Sequence, residues 1–396
     1  MDTIVLKIES HEYIVKDITK FNPTLSPLLA QNRVAYQRFM ETFGGYRKFI
    51  QNAPASYREA GIIYPNLAIH ERLRKGEYSR NLHISISVPK LLFGHSYQDP
   101  TNADKDKVID LLGNRLNDMG IEVTRENLRY SLVQTLHYAK NILFPSLDDA
   151  NIFLERMSKC SMGKWFENNV KTYSYDGRSV RFHTSIFEIN FYLKYADVLQ
   201  KGSRSVDRNK TLQEIQIAKE YQKQGKIPPV VRMEIRFIGT RSITSHMKEA
   251  IDKERRYWMF NDVFNTEKSR KVLKFYWGKI IEDKLNYFIL CQPTDADVSI
   301  KIQDTLKGEK SKAVYESLGL YFELKTLGVK GLKNNIRLRH SDPTYQRRMK
   351  TLVEFMEKFV NPDDTLIKIV SNALDDNPLI DSQNVSEQIK LTIDEN

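Results

Sequence analysis

Four polar side chains on one predicted strand are of the types that carry out chemistry. Between Phe187 and Asp197, apolar residues alternate with Glu188, Asn190, Tyr192 and Lys194. Alternation with a period of two predicts a β-strand with one buried face. The other face then presents a carboxylate, an amide, a phenol and an ammonium group in a row. A solvated sheet face is the commoner explanation of such a row, so a reaction centre needs support from the rest of the chain.

Three further candidates lie on other predicted strands. The strands predicted over residues 82–88, 129–141 and 231–237 carry His83, His137 and Glu234 on their polar faces. Two imidazoles and a carboxylate are a reasonable ligand set for a divalent metal ion. A metal beside a tyrosine indicates phosphodiester chemistry, in which the metal withdraws charge from a phosphate oxygen and a phenolate attacks phosphorus. Because the ordinary pKa of a phenol is about 10, Lys194 or the metal must favour the phenolate.

Each of these residues also has a simpler interpretation. A lone histidine on a strand is usually a surface residue or a satisfied core residue, and Glu234 between Arg232 and Arg236 would usually form a cross-strand ion pair. Other tyrosines nearby are alternative nucleophiles: Tyr195, Tyr173 and Tyr175. The sequence contains no nucleophile elbow, Walker loop or GxGxxG motif, so nucleotide hydrolysis and dinucleotide binding have no support.

Composition favours a polyanionic partner. The 396 residues carry a net charge of +11 and the sequence pI is about 9.3, which points first to nucleic acid and second to an anionic membrane surface. Cys160 and Cys291 stand far apart, which excludes a disulfide framework and a zinc finger and fits a reducing cytoplasm. No apolar run reaches the roughly 18 residues of a membrane span, and the first ten residues do not resemble a signal peptide.

The order of predicted elements indicates an α+β protein with a β-rich first part and a helical second part, the boundary lying near residues 240–265. Helices are predicted over residues 104–120, 148–159, 211–224, 243–258, 267–281, 298–306, 311–327 and 344–359. A hairpin is predicted over 170–175 and 180–195, with Asp176-Gly177 as its turn. The predicted domains are a catalytic domain over 1–250, a helical DNA-binding or accessory domain over 251–370, and a flexible acidic tail over 371–396.

The same segments carry a resemblance to a known family. The opening Met1-Asp-Thr-Ile-Val-Leu-Lys-Ile, the strand 82–88 followed by Pro89-Lys-Leu-Leu-Phe-Gly94-His95, and the strand 133–137 occur in the family's order. Phe191-Tyr-Leu-Lys194 and Val231-Arg-Met-Glu234 match its Tyr-Leu-Lys and its Val-Arg-aromatic-Glu, with a methionine in place of the aromatic residue. The chain thus resembles the gene II/X-type rolling-circle replication initiators of filamentous phages and related plasmid initiators, more loosely in its helical half.

The resemblance implies a cytoplasmic nickase in a bacterial host. Such proteins bind the double-strand origin of a circular replicon, cut one strand, and stay joined to the 5′ phosphate through tyrosine. The free 3′ hydroxyl then primes a host polymerase that acts with a host helicase, and the displaced single strand is rejoined afterwards. The resemblance also implies a sheet-based domain of the His-hydrophobic-His endonuclease kind and magnesium or manganese as cofactor. No membrane partner is implied.

Carried onto this sequence, the resemblance makes Tyr192 the nucleophile, with Lys194 stabilising charge, and His83, His137 and Glu234 the metal ligands. The two histidines stand where the phage pattern has acidic residues, which favours manganese or another transition metal. Alternatively, the alignment is shifted and His95 or Glu188 is the ligand, or the site binds DNA without cutting it. The predicted DNA contacts are Arg232, Arg236, Arg337, Arg339, Arg347, Arg348 and Lys350.

Two rival functions use the same charge and aromatic residues. The first is a DNA-binding replication or copy-control protein without cutting activity, which needs neither Tyr192 nor a metal ion. The second is an RNA-binding or translation-associated protein, which rests on charge alone.

Overall fold

A computed structural model describes residues 1–23, 47–51, 61–74, 77–162, 171–175, 178–199, 211–291, 311–357 and 365–375. The strands are β1 (Thr3–Glu9), β2 (Tyr13–Val15), β3 (Asn22–Pro23), β4 (Arg47–Gln51), β5 (Asn66–Arg74), β6 (Glu77–Ser87), β7 (Ile121–Val123), β8 (Leu132–Leu143), β9 (Lys171–Tyr175), β10 (Ser179–His183), β11 (Phe187–Leu193) and β12 (Val230–Ile238). The helices are α1 (Val88–Phe93), α2 (Lys105–Asp118), α3 (Arg125–Arg129), α4 (Leu147–Lys159), α5 (Lys194–Leu199), α6 (Leu212–Lys223), α7 (Thr240–Ala250), α8 (Phe260–Val263), α9 (Thr266–Glu282), α10 (Lys284–Leu290), α11 (Ser311–Arg339), α12 (Asp342–Glu357) and α13 (Thr365–Asp375). Two 3-10 turns, Ile18–Lys20 and Asn102–Asp104, complete them.

Ten of the described strands form one sheet in the order β3-β4-β5-β6-β1-β8-β12-β11-β10-β9. Every pairing in it is antiparallel. The first strand of the chain lies near the middle, between β6 and β8, while β2 and β7 pair in a separate ribbon. This order brings the start of the chain next to β8, which decides the composition of the site described below.

One face of the sheet is apolar across its central strands, from β6 to β11. Ile4, Ile84, Leu136, Ile235 and Phe191 are all fully buried or nearly so. Burial of such side chains contributes about 1.5–3 kcal/mol each, so the period-two pattern fixes which face of each strand packs inward.

Helices of the second part cover this apolar face. Helices α7, α9 and α13 contact β8, and α4 contacts β9 to β12. The ring of Phe153 on α4 lies 5.8 Å from that of Phe191, and the ring of Tyr276 on α9 lies 4.9 Å from that of Phe187. One continuous core therefore contains residues of both parts of the chain.

Among the described residues, those that cover the opposite, polar face lie over part of the sheet. In β1 every second residue is partly exposed, whereas six of the seven residues of β11 are buried. Helix α5 contacts β11 and β12 and packs against α6. The segment 95–99 also lies here, because the carbonyl oxygens of Ser96 and Tyr97 accept hydrogen bonds from Arg232 and Asn141. The strands β11 and β12 are thus enclosed on both sides.

The predicted α+β class, with a β-rich first part and a helical second part, is confirmed. The segment predicted as one strand over 180–195 is instead two strands, β10 and β11, joined by a turn in which the Thr184 hydroxyl accepts from the backbone N–H of Phe187. Lys194 and Tyr195, which were predicted to continue the strand, begin helix α5. The helix predicted over 243–258 ends at Ala250. The turn Asp176-Gly177 and the helix predicted over 298–306 lie outside the described residues.

Two features of the helical part extend beyond the predictions. Helix α11 continues to Arg339 through a break at Gly328, whose φ is 69°. A Cβ atom there would lie 2.7 Å from the carbonyl oxygen of Lys159, so only glycine fits. Helix α13 continues past Ser371, where the flexible tail was predicted to begin, and buries Leu374. Among the described helices, none has the length and apolar character needed to cross a membrane.

Candidate active site

The structure brings one histidine and two acidic residues together where β1, β8 and β12 lie side by side. One donor atom from each of Asp2, His137 and Glu234 lies within 4.8 Å of the others. The register places His137 opposite Arg236, so that His137 and Glu234 are on the same face of neighbouring strands. The backbone N–H of Asp2 donates to the carbonyl oxygen of His137 at 2.8 Å, which fixes the chain start against β8.

Glu234 is the centre of the cluster and is only 2% exposed. Its Oε1 lies 3.2 Å from Nδ1 of His137, and its Oε2 accepts from Nη2 of Arg236 at 2.9 Å. Burial alone would raise the pKa of this carboxyl group, but Arg236 and His137 hold the pKa well below the usual range. Glu234 is therefore a carboxylate at neutral pH.

Tyr192 completes the cluster from the adjoining strand. Its hydroxyl donates to Oε2 of Glu234 at 3.4 Å, near the outer limit for a hydrogen bond. Burial, and then the negative charge of Glu234, raises the pKa of the phenol well above 10. The phenol is thus protonated at neutral pH, and additional positive charge is needed to make it a nucleophile.

Arg232 was predicted to contact DNA, but the structure places it in the interior. It is 1% exposed, and its guanidinium group donates to Asp2 Oδ1 at 2.7 Å, to Asn141 Oδ1 at 2.8 Å and to the Ser96 carbonyl oxygen at 3.1 Å. Arg232 therefore positions Asp2 through a buried ion pair and is not accessible to a phosphate.

Arg236 has the opposite character. Its side chain is 33% exposed and bridges two carboxylates, Glu234 and Glu188, the second at 3.3 Å. Glu188 also pairs with Arg181. A third of the Arg236 side chain reaches solvent beside Tyr192, so this residue remains suited to the phosphate contact predicted for it.

Lys194 lies beside the phenol but is enclosed. Its ammonium group is 6.0 Å from the centre of the Tyr192 ring and donates to Ser96 Oγ at 2.6 Å. Burial, and then the charge of Arg232, lowers the pKa of Lys194 to about 8. Ser96 in turn binds Glu214, which also pairs with Lys90 at 3.0 Å. This buried network links the lysine to helix α6.

His83 does not join the metal-ligand cluster. It lies on β6, paired with Lys7 of β1 and Ala68 of β5, and its ring stacks on that of His70 at 4.0 Å. Asp2 takes the third place in the cluster. The sequence offered one signal for this residue, an acidic side chain directly before the first strand, but its use requires knowing that β1 pairs with β8.

The alternative residues lie elsewhere. Tyr195 is buried and stacks on Tyr97 at 4.5 Å, and its pKa is raised by burial. Tyr173 and Tyr175 lie on β9, two strands from β11. His95 is buried near Tyr97, with ring centres 5.6 Å apart.

The donor set fits a small divalent ion. Two carboxylates and one imidazole are ligand types for a divalent ion, and the imidazole favours a transition metal over Mg²⁺. The three donor atoms lie within 4.8 Å of one another, and the 3.2 Å between His137 Nδ1 and Glu234 Oε1 is that of a hydrogen bond between the two groups. Both carboxylates already pair with arginines, so an ion competes with Arg236 for Glu234 and with Arg232 for Asp2.

The remaining predicted DNA contacts lie far along the chain, on α11 and α12. Arg337, Arg339, Arg347 and Lys350 are exposed. Some have partners within the helices: Arg337 lies over the Tyr345 ring at 4.8 Å, and Arg348 pairs with Glu316 at 2.9 Å. These basic residues, which we call the basic surface, lie on α11 and α12, whereas the cluster lies on β1, β8 and β12.

The chain matches no protein-family model, and no curated protein or solved structure is significantly similar to it.

Proposed function

We propose that this protein is a rolling-circle replication initiator that cuts and rejoins one DNA strand at a replicon origin through Tyr192. The observation that carries the proposal is the 3.4 Å contact between the Tyr192 hydroxyl and Glu234, a member of the Asp2–His137–Glu234 cluster. A phenol beside a divalent-ion ligand set is suited to metal-assisted transfer of a phosphodiester to tyrosine. The sequence resemblance to phage and plasmid initiators supports the same reaction.

In the proposed reaction, the Tyr192 oxygen forms a bond to phosphorus and the bond from phosphorus to the 3′ oxygen breaks. The phenol proton passes to solvent water, and the leaving 3′ oxygen takes a proton from water. The 5′ phosphate stays on Tyr192, so the energy of the broken bond is kept in the ester. Attack by a 3′ hydroxyl on that ester reverses the step without ATP.

Each surrounding residue has a role derived from its position. Asp2, His137 and Glu234 would hold the ion, which when bound supplies charge that polarises the phosphate and favours the phenolate. Arg236 binds a non-bridging phosphate oxygen when the strand enters, leaving Glu234 to the ion. Arg232 positions Asp2, and Lys194 supplies positive charge at the Tyr192 ring.

The proposal is tested by trapping the covalent adduct. Protein is mixed with single-stranded DNA containing the replicon origin and with Mn²⁺ or Mg²⁺, quenched in detergent, and examined for DNA that migrates with protein. We expect an adduct with the wild type and with the control Tyr130→Phe, an exposed tyrosine outside the site, and none with Tyr192→Phe. An adduct that Tyr192→Phe forms equally well moves the nucleophile to another tyrosine.

A second candidate, a DNA-binding replication or copy-control protein without cutting activity, is favoured by one observation. Asp2 and Glu234 are each paired with an arginine, so the cluster is electrostatically satisfied without an ion. The absence of any adduct with either metal on an origin-containing substrate that the protein binds would establish this candidate.

A further inference from the structure

The polar face of the sheet continues away from Tyr192 onto β1, β6, β5 and β4. Lys7 on β1 lies directly opposite His83 on β6, and Lys48 on β4 lies directly opposite His70 on β5. His70 is two residues along β5 from the residue that pairs with His83, so it lies on the same face. These side chains are partly exposed. Unlike the polar face of β11 and β12, this half of the sheet presents partly accessible side chains from successive strands.

Its central feature is a pair of stacked imidazoles. The rings of His70 and His83 have centres 4.0 Å apart and an angle of 14° between their planes. The nitrogen lone pairs lie in two nearly parallel planes, so they do not converge on one metal ion. Each ring covers one face of the other, so the two outer faces and the ring edges remain for a ligand.

Three cationic side chains lie near the pair, of which Lys7 also pairs with Glu9 at 2.5 Å. Lys7, Lys48 and Arg72 all act on the His83 imidazole, and Lys48 and Arg72 on that of His70. Burial, with these cations, lowers the pKa of His70 to about 4 and that of His83 to about 3. At neutral pH the imidazoles are uncharged rings surrounded by cationic side chains.

Uncharged rings among cations match the chemistry of a single nucleic acid strand. Bases stack on aromatic faces while the phosphates lie near lysine and arginine, and such stacking is tolerant of sequence. A duplex hides its base faces and cannot use the rings in this way.

The position is suited to the strand on which Tyr192 acts. The strands β6 and β11 are separated by β1, β8 and β12, which is four inter-strand spacings or about 19 Å across the sheet. Lys7, the partner of His83, lies opposite Leu132 on β8, whereas Arg232, the partner of Tyr192, lies opposite Asn141. The two places are therefore also offset by nine residues along the strands, which is about 30 Å. A single strand that reaches both places must therefore span roughly 35 Å over one face of the sheet.

We propose that His70 and His83, with Lys7, Lys48 and Arg72, form a binding site for single-stranded DNA that holds a part of the strand at a distance from the phosphate at Tyr192. The inference rests on the proposed function for the identity of the strand. The binding itself requires neither Tyr192 nor a metal ion.

The test measures binding alone. A labelled single-stranded oligonucleotide with the origin sequence is titrated at pH 7 in EDTA with Tyr192→Phe protein, so that no cutting contributes. We expect His70→Ala/His83→Ala added to this background to raise the Kd about 10-fold or more, since base stacking is worth about 1–3 kcal/mol per base. His83→Phe, which keeps a flat ring, is expected to bind within about 2-fold of the background protein, and so is the control His11→Ala at an exposed position.

Three results overturn the proposal: an unchanged Kd in the double variant, an equal loss for His83→Phe and His83→Ala, or an equal loss of affinity for duplex DNA. Thermal unfolding of each variant shows whether the fold is intact. A failed adduct assay alongside a weakened double variant would remove the proposed reaction and leave this binding site standing.

Discussion

Two histidines that look alike in the sequence lie in opposite environments. His137 faces carboxylates, with Glu234 at 3.2 Å and Asp2 nearby. His83 faces another imidazole and three cationic side chains. A carboxylate environment favours a metal ion, whereas a cationic environment repels one and attracts a phosphate.

The difference arises from strand order. Both histidines are on strands of the same sheet and on the same face, but β8 adjoins β12, which carries Glu234, while β6 adjoins β5, which carries His70. Neighbouring strands, and not the residue type, therefore determine which histidine can bind a metal.

The largest expected effect comes from a matched pair of substitutions that tests which residues belong to the metal site. Glu234→Gln removes a ligand charge from the cluster, and His83→Gln removes the residue that the sequence placed there. We expect Glu234→Gln to lower the rate of adduct formation at least about 1,000-fold, because a ligated ion contributes several kcal/mol. His83→Gln should leave that rate within about 2-fold when DNA is saturating.

The measurement is a single-turnover adduct assay at several Mn²⁺ concentrations. The half-saturating Mn²⁺ concentration should be unchanged in His83→Gln. A shift of about 10-fold or more in this variant would return His83 to the metal site and contradict the placement seen here.

Arginines in the two regions should contribute differently to the free energy of unfolding. Arg232 is buried against Asp2, whereas Arg72 is exposed. Arg232→Met leaves Asp2 without its partner and should cost about 3 kcal/mol of unfolding free energy, while Arg72→Met should change it by less than about 0.5 kcal/mol. Urea denaturation measures both. Equal effects would mean that Asp2 is satisfied in another way.

The sequence predicts the fold class and most elements because period-two and helical periodicities report which face is buried. It also places Tyr192 and Glu234 on polar faces, and the structure brings them within 3.4 Å. It does not identify Asp2, which precedes any periodic pattern and whose role depends on the pairing of β1 with β8. It also does not predict that Arg232 is interior, because that depends on the packing of segment 95–99. The exclusion of His83, like the role of Asp2, depends on strand pairing.

The buried network of Lys194, Ser96, Glu214 and Lys90 should make the stability of the protein depend on pH. Burial would raise the pKa of Glu214, but Lys194 and Lys90 lower it to about 2. A carboxyl group whose folded pKa is depressed contributes stability above its ordinary pKa of 4.5, and this contribution is lost as the pH falls towards 2. We expect at most about 3 kcal/mol from this group.

The comparison is between the wild type and Glu214→Gln in urea denaturation from pH 7 to pH 2. The variant should be less stable at pH 7, and the two curves should converge near pH 2. Acidification also destabilises the folded protein through three histidines, because the folded pKa values of His70, His83 and His246 are lowered. This loss is the same in both proteins. Curves that stay parallel below pH 4.5 would contradict the assignment.

The smallest expected effect is on the salt dependence of duplex binding. It concerns the basic surface on α11 and α12, which lies outside the polar face of the sheet. Each phosphate contact contributes about 0.9 to the slope of log affinity against log salt for duplex DNA. Because Arg347 and Lys350 are exposed, Arg347→Ala/Lys350→Ala should reduce that slope for origin duplex by about 1.8, whereas Lys284→Ala, an exposed lysine on α10, should leave it unchanged. His70→Ala/His83→Ala should weaken single-strand binding with an unchanged slope, since uncharged rings release no counterions. A reduced slope in the histidine variant would mean that this pair acts through charge, and the contrast between the two histidine environments would then fail.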